Sequence, residues 1–170
     1  MSQRNNLSFG CVALTTYSLK SRAIKMLELA YDNGITNFDT APLYGRGYSE
    51  EIVGSFIRNK RSKVVVTTKV GLGSLNENSI PASIALPLYS LKRKLKKQYS
   101  ATIKVPTELP KPLTYRKIDK KYIEQSLQLS LKRLKTDYID NYFLHEALPS
   151  FITDEGWSYL QELKKKRNNS

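Results

Sequence analysis

Histidine and cysteine are nearly absent from this sequence, which contains one of each among its 170 residues. Cys11 has no second cysteine with which to form an internal disulfide. A zinc site in turn needs more histidine or cysteine ligands than one residue of each can supply. We therefore expect no metal site, and we interpret Cys11 as a buried, unreactive thiol.

Long hydrophobic runs are also missing. No segment approaches the roughly 18 consecutive apolar residues of a membrane-spanning helix, and the start MSQRNNLSFG lacks the basic and then apolar layout of a secretory signal. We expect a cytoplasmic protein without a membrane partner. Because 40% of the residues are hydrophobic and 25% are charged, as in typical globular chains, we expect residues 1–170 to form a single domain.

Acidic residues are scarce, with 15 against 28 lysines and arginines. Most of the excess lies in residues 89–121, which hold 11 basic and two acidic residues, and in the four consecutive basic residues at 164–167. Tyrosines among these charges would permit base stacking, so a binding module acting through 89–121 on nucleic acid or anionic lipid stays an alternative. We favour a solvated surface segment that attracts an anionic cofactor or substrate, and we do not expect nucleic acid as a partner.

Apolar runs and helical periodicities alternate along the chain. Short apolar runs predict four strands, and amphipathic stripes predict a helix after each of them. The predicted strands lie at 7–14, 35–38, 63–68 and 138–144, and Ser21, Ser49 and Asp119 are the expected caps of the first three helices. Between about 73 and 116 the periodicity fades and prolines accumulate, which predicts a basic insertion. Its LKRKLKK stretch is expected to form at most a short helix.

Strands that alternate with helices predict a parallel sheet joined by right-handed crossovers. Two architectures fit this order, a small doubly wound open sheet and one half of an eight-stranded barrel. The pattern by itself does not choose between them.

Four polar residues lie where the predicted strands end. Asp39 follows the second strand, Tyr44 lies in the loop after it, Lys69 ends the third strand, and His145 ends the fourth. In both architectures the carboxyl ends of the strands share one edge of the sheet. We therefore expect these four side chains to lie together.

Three segments around these residues resemble the aldo/keto reductase family in the correct order. They are GITNFDTAPLYGRGYSEEIVG, VVVTTKVG and SLQLSLKRLKTDYIDNYFLHE. The resemblance implies four βα units of a TIM-type (β/α)8 barrel, that is, a partial barrel. It also implies an oxidoreductase that uses NADPH or NADH to reduce an aldehyde or a ketone.

The resemblance assigns a role to each of the four polar residues. Hydride addition leaves negative charge on the carbonyl oxygen, so Tyr44 would protonate it as a general acid. Lys69 would stabilise the resulting phenolate, and Asp39 would pair with Lys69. His145 would donate a hydrogen bond that orients the carbonyl oxygen.

The family's cofactor-binding residues come largely from strands five to eight, which the resemblance places beyond Ser170. It therefore implies a truncated enzyme that is active only if this half of the barrel is supplied or is dispensable, with an inactive remnant as the alternative. Half a barrel would also expose the edges of its first and last strands and an apolar inner face. We expect self-association or a complementing second half to cover them.

Overall fold

The structure is a computed structural model that describes residues 7–72, 75, 80–100, 116–146 and 149–168. Its strands are β1 (Ser8–Gly10), β2 (Asn37–Asp39), β3 (Val65–Val70) and β4 (Asn141–Leu144). Its helices are α1 (Lys20–Asp32), α2 (Tyr48–Ile57), α3 (Ala82–Ser100), α4 (Lys120–Leu134) and α5 (Asp154–Asn168). Short 3-10 turns occupy Cys11–Thr16, Tyr44–Gly47, Arg61–Lys63 and Pro149–Phe151.

The four strands form one parallel sheet in the order β1-β2-β3-β4. Alternate residues face the helices, as Phe38 in β2 and Val66 in β3 do, and both are fully buried. A doubly wound sheet reverses its strand order, whereas here the order is sequential. The arrangement is an arc of a (β/α)8 barrel, which confirms the partial barrel and excludes the open-sheet alternative.

The helices pack closely because small residues lie between them. Gly54 in α2 contacts the backbone of α4, where an added Cβ would lie 2.6 Å from the carbonyl oxygen of Arg133. Ser126 and Ser130 are buried on α4, alongside Ile123 and Leu134 of the predicted apolar stripe. This contact fixes α2, and the loop that precedes it, against the helix that leads into β4.

The face of the sheet opposite Phe38 and Val66 is the inner face of the barrel arc. By strand alternation it carries Asn37, Asp39, Thr67, Lys69 and Asn141, with Val65 and Phe143 as its apolar members. The amide of Asn141 donates to Thr67 Oγ1 at 3.1 Å. The expected apolar inner face is therefore wrong, because most of these side chains are polar.

Some predicted element boundaries are wrong in detail. The first strand ends at Gly10, and Cys11–Thr16 turns instead as a 3-10 helix. Ser21 lies inside α1, whose N-cap is Leu19 without a side-chain hydrogen bond. Asp119 is the expected cap of α4, and its Oδ1 accepts from the backbone N–H of Tyr122 at 2.8 Å.

The predicted insertion contains more regular structure than the sequence indicated. Helix α3 runs for 19 residues through it, with Pro87 in its interior. It packs against α1, α2 and the Cys11–Thr16 turn. Residues 101–115 of the insertion lie outside the described residues.

Candidate active site

The carboxyl edge of the sheet brings together all four polar residues selected from the sequence. Asp39 is the last residue of β2, Lys69 is the penultimate residue of β3, and His145 directly follows β4. Tyr44 begins the 3-10 turn after β2. Parallel pairing aligns these strand ends, and their shared edge is therefore the candidate active site.

Lys69 is the centre of the site. Its Nζ forms an ion pair with Asp39 Oδ1, donates to the carbonyl oxygen of Thr40 at 3.0 Å and lies 3.2 Å from Tyr44 OH. The lysine side chain is only 11% exposed, and such partners compensate the loss of hydration of a buried cation. The three acceptors match the three N–H donors of an ammonium group.

The contact between Lys69 and Tyr44 has a defined direction. An ammonium group has no lone pair and can only donate, so the Tyr44 oxygen accepts in the 3.2 Å contact. The phenolic hydrogen is then available for a different acceptor. The geometry thus presents Tyr44 as a proton donor whose oxygen already lies beside a cation.

His145 completes the group on the β4 side. Its ring meets that of Tyr44 edge to face, with centroids 5.6 Å apart, and its backbone N–H donates to the Val70 carbonyl oxygen at 2.8 Å. Burial lowers the pKa of His145, and the Lys69 cation lowers it further. The imidazole is therefore neutral near pH 7. Its Nδ1 is buried and has no hydrogen-bond partner in the part of the chain that the structure describes.

An unusual turn delivers Tyr44 to the lysine. Gly45, Arg46 and Gly47 all have positive φ angles, of 59°, 58° and 90°. At Gly47 an added Cβ would lie 2.6 Å from the guanidinium carbon of Arg133, so a side chain there meets both strain and a clash. The turn therefore depends on glycine at this position.

A buried network behind the turn was not anticipated from the sequence. Ser49, expected to cap a helix, instead donates to the Cys11 carbonyl oxygen at 2.9 Å and accepts from Thr40 Oγ1 at 2.9 Å. The cap prediction is wrong because α2 begins earlier, after Gly47. The hydroxyl pair connects the residue after Asp39 to the loop after β1.

Glu50 is the second part of this network and is fully buried. Its carboxylate accepts from Thr68 Oγ1 at 2.7 Å and from Arg133 Nη1 at 3.1 Å. Thr68 precedes Lys69 in β3, and Arg133 lies in α4. Through these two contacts Glu50, at the start of α2, connects the turn that holds Tyr44 to β3 and to α4. The spacing could have revealed it, because Glu50 lies three, four and seven residues before the buried Val53, Gly54 and Ile57.

Comparison with known proteins agrees with this geometry. The family model described as "Aldo/keto reductase family" matches residues 6–166. An uncharacterized oxidoreductase of Bacillus subtilis, YqkF, is 32% identical over 161 residues, which cover 95% of this chain and 41% of that protein. The chain therefore spans less than half the length of this curated relative.

This chain is also similar to solved structures of aldo-keto reductases, and it again covers less than half of each of the two described next. An aldo-keto reductase from Bacillus halodurans, in its holo form, has a TM-score of 0.65 and 27% identity, with 94% of this chain and 42% of that chain covered. An aldo-keto reductase from Klebsiella pneumoniae in complex with NADPH has a TM-score of 0.60, over 94% of this chain and 41% of its own. At 23% identity the latter is a likeness of fold. The family model matches well over half of the chain, and by it the chain belongs to the aldo/keto reductase family.

Proposed function

We propose that the site at Asp39, Tyr44, Lys69 and His145 belongs to an NAD(P)H-dependent oxidoreductase that reduces an aldehyde or a ketone. The observation that carries this proposal is the set of contacts at Lys69 Nζ, which joins a carboxylate and a phenol at the edge of the sheet. Membership of the aldo/keto reductase family supports the reaction class. The crystallised complex of the Klebsiella relative supports NADPH as the cofactor.

The proton transfer follows from the contacts of Tyr44. A bound nicotinamide cofactor would supply the hydride to the carbonyl carbon. The Tyr44 hydroxyl gives its proton to the carbonyl oxygen, and the Lys69 cation 3.2 Å from the phenolic oxygen stabilises the phenolate that remains. Asp39 holds the ammonium group in place through their ion pair.

His145 acts on the same carbonyl oxygen without giving up a proton. A neutral imidazole has one N–H donor and one acceptor nitrogen, and the lowered pKa keeps His145 in that form. Its N–H orients the carbonyl and stabilises the charge that develops on oxygen. The edge-to-face contact with Tyr44 keeps the two donors on the same side of the substrate.

The described residues fit the carbonyl end of this reaction. The rings of Tyr44 and His145 lie edge to face, and the Lys69 cation lies beside the phenol, so a proton donor, an imidazole and a cation meet in one site. By the family resemblance, residues that hold the phosphates of the cofactor are expected mainly on strands five to eight of the barrel and their loops. Cofactor binding and proton transfer therefore depend on different residues, and each is measured by its own assay.

The activity test compares two phenylalanine variants. We expect loss of NADPH absorbance with a panel of aldehydes, and a decrease of about 10² to 10⁴-fold in Tyr44→Phe, the usual contribution of a general acid. Tyr138→Phe is the matched control, since Tyr138 is 43% exposed and lies before β4, at the other end of the sheet. Equal rates in parent and Tyr44→Phe would contradict the proposal.

An inactive member of the family is the second candidate, with the same four polar residues but without affinity for the cofactor. Within the described residues β1 and β4 each have one strand partner. Titration with NADPH, followed by cofactor fluorescence, separates the two candidates. Binding with turnover supports the reductase, whereas no binding at millimolar cofactor supports the inactive form.

We propose that further strands must pair with β1 and β4 for the site to be complete. In a preparation of these 170 residues alone, a second copy is the available source of such strands. Size-exclusion chromatography with light scattering should then report a dimer. A well-folded monomer that does not bind the dye ANS would contradict this expectation, and an added complementing half would be the next source to examine.

A further inference from the structure

Helix α3 has two apolar sides, and only one of them is used by the fold. Ala82, Ala85 and Leu86 are buried, where α3 packs on α1 and α2. Four other aliphatic residues of the helix are about half exposed, at 47 to 54%. These four, called here the outer stripe, are Ile84, Leu88, Leu91 and Leu95.

The outer stripe is a continuous surface. Its members follow one another at intervals of four, three and four residues, and at about 100° per residue they fall within about 60° around the helix. Scattered exposed leucines are ordinary on protein surfaces. Four in one row, on the side of α3 away from its buried alanines, form an amphipathic face directed to the outside.

All charged side chains of α3 are positive. Helix α3 contains five basic residues and no acidic residue. Lys92 and Lys94 are exposed and flank the stripe on its two sides. The positive charge on the described part of the helix therefore borders the outer stripe on both sides.

The fold holds the first part of α3 in a fixed orientation. The backbone N–H of Ala82 donates to both carboxylate oxygens of Glu51, at 3.0 and 3.1 Å, and Glu51 pairs with Lys20 at 2.8 Å. Further along, Arg93 Nη2 donates to the Thr16 carbonyl oxygen at 2.7 Å. The outer stripe is thus presented on a helix that is attached at two points.

We propose that α3 is a docking surface for an anionic lipid bilayer, on which the helix lies flat with its outer stripe in the interface. An apolar row bordered by lysines is the pattern of an interfacial helix, and negatively charged headgroups attract such lysines. A second copy of α3 is a poor occupant because it would bring like charges together. None of the described helices is long and apolar enough to span a membrane, and a helix that lies on the surface does not need to be.

The test is flotation of the full chain with vesicles. We expect the chain to float with phosphatidylcholine vesicles that contain phosphatidylserine and to stay in solution with phosphatidylcholine alone. We also expect binding to fall at least tenfold at high salt, because the attraction is electrostatic. Leu88→Ser with Leu91→Ser should abolish flotation. Leu29→Ser is the matched control, since Leu29 on α1 is 56% exposed and lies outside α3.

A charge variant keeps the test independent of the leucines. Lys92→Glu with Lys94→Glu should reduce flotation and its salt dependence together while leaving the outer stripe in place. Flotation that is equal for both lipid compositions, or that is unchanged in either variant, would overturn the proposal. So would binding to an acidic leucine-rich helical peptide or to random oligonucleotides without binding to vesicles, which would assign the surface to protein or nucleic acid.

Discussion

Replacing Arg133 by methionine should destabilise the chain because it leaves a buried carboxylate without its cation. Glu50 is fully buried and is paired with Arg133 Nη1 at 3.1 Å, and the arginine side chain is 9% exposed. Breaking a buried ion pair by removing one partner costs about 3–5 kcal/mol. Thr68 Oγ1 still donates to Glu50 at 2.7 Å, so we expect the lower part of this range, about 3 kcal/mol.

Urea and thermal unfolding measure this cost. For a chain of this size, a loss of about 3 kcal/mol lowers Tm by roughly 6 to 12 °C. The matched control is Lys166→Met, which removes an exposed pair with Glu162 at 3.6 Å. That change should cost only about 0.3–0.5 kcal/mol, because exposed pairs on a helix contribute little.

A double variant distinguishes a buried charge from lost packing. If the cost arises from the unpaired carboxylate, adding Glu50→Gln to Arg133→Met should restore part of the stability, since the amide carries no charge and can still accept from Thr68. If the cost arises from the missing guanidinium packing, the double variant should be no more stable than the single one. A loss below about 1 kcal/mol in Arg133→Met would refute the assignment of Glu50 as a buried ion.

Three further predictions concern separate parts of the chain. Burial raises the pKa of Cys11 to about 12, so we expect no reaction with DTNB at pH 8 in the native state and full reaction in urea, and fast native reaction would contradict its burial. Asp119→Ala should cost about 1 kcal/mol in urea unfolding through loss of the α4 cap, whereas Asp119→Asn should stay near the parent. Because burial lowers the pKa of His145 from 6.5, the unfolded chain binds its proton more readily, and this component of stability is lost as pH falls below about 6.5. His145→Asn should therefore show a smaller loss of Tm between pH 7 and pH 5, and an equal loss in both proteins would contradict this reasoning.

Sequence periodicity predicted the helices better than it predicted their first residues. The apolar stripe of α1 buries Ala23, Leu27 and Ala30, as its spacing indicates. Ser21 and Ser49 nevertheless do not cap, because the first turns of α1 and α2 are set by contacts elsewhere in the fold. Lys20 pairs with Glu51 from another helix, and Ser49 is directed to the Cys11 carbonyl oxygen. A local rule for caps contains no information on such partners.

The four site residues could be selected from the sequence because each lies next to a strand end. Parallel strands carry such residues to one edge whatever the details of packing, and the structure brings all four together there. The residues behind them could not be selected in this way. Gly47 and Arg133 approach each other from two distant segments, and no local pattern marks that contact. Helical spacing marks Glu50 as buried, but it does not identify Arg133 as its partner.

Because the inner face of the sheet is mostly polar, we expect a partner to bind at the edges of the sheet and not on that face. An apolar face would have to be buried, but Asn37 and Asn141 are polar and partly exposed, and the Asn141 amide donates to the buried Thr67 hydroxyl. The outer backbone edges of β1 and β4, unlike the inner face, do need a partner. Within the described residues no strand lies beyond them, and the N–H and C=O groups of such an edge are satisfied best by another strand. Added strands would therefore attach by edge pairing, which also encloses the side chain of Lys69 and its neighbours. Substituting proline for Tyr142 within β4 should then prevent association more effectively than polar substitution of Phe143, which is 54% exposed on the open face.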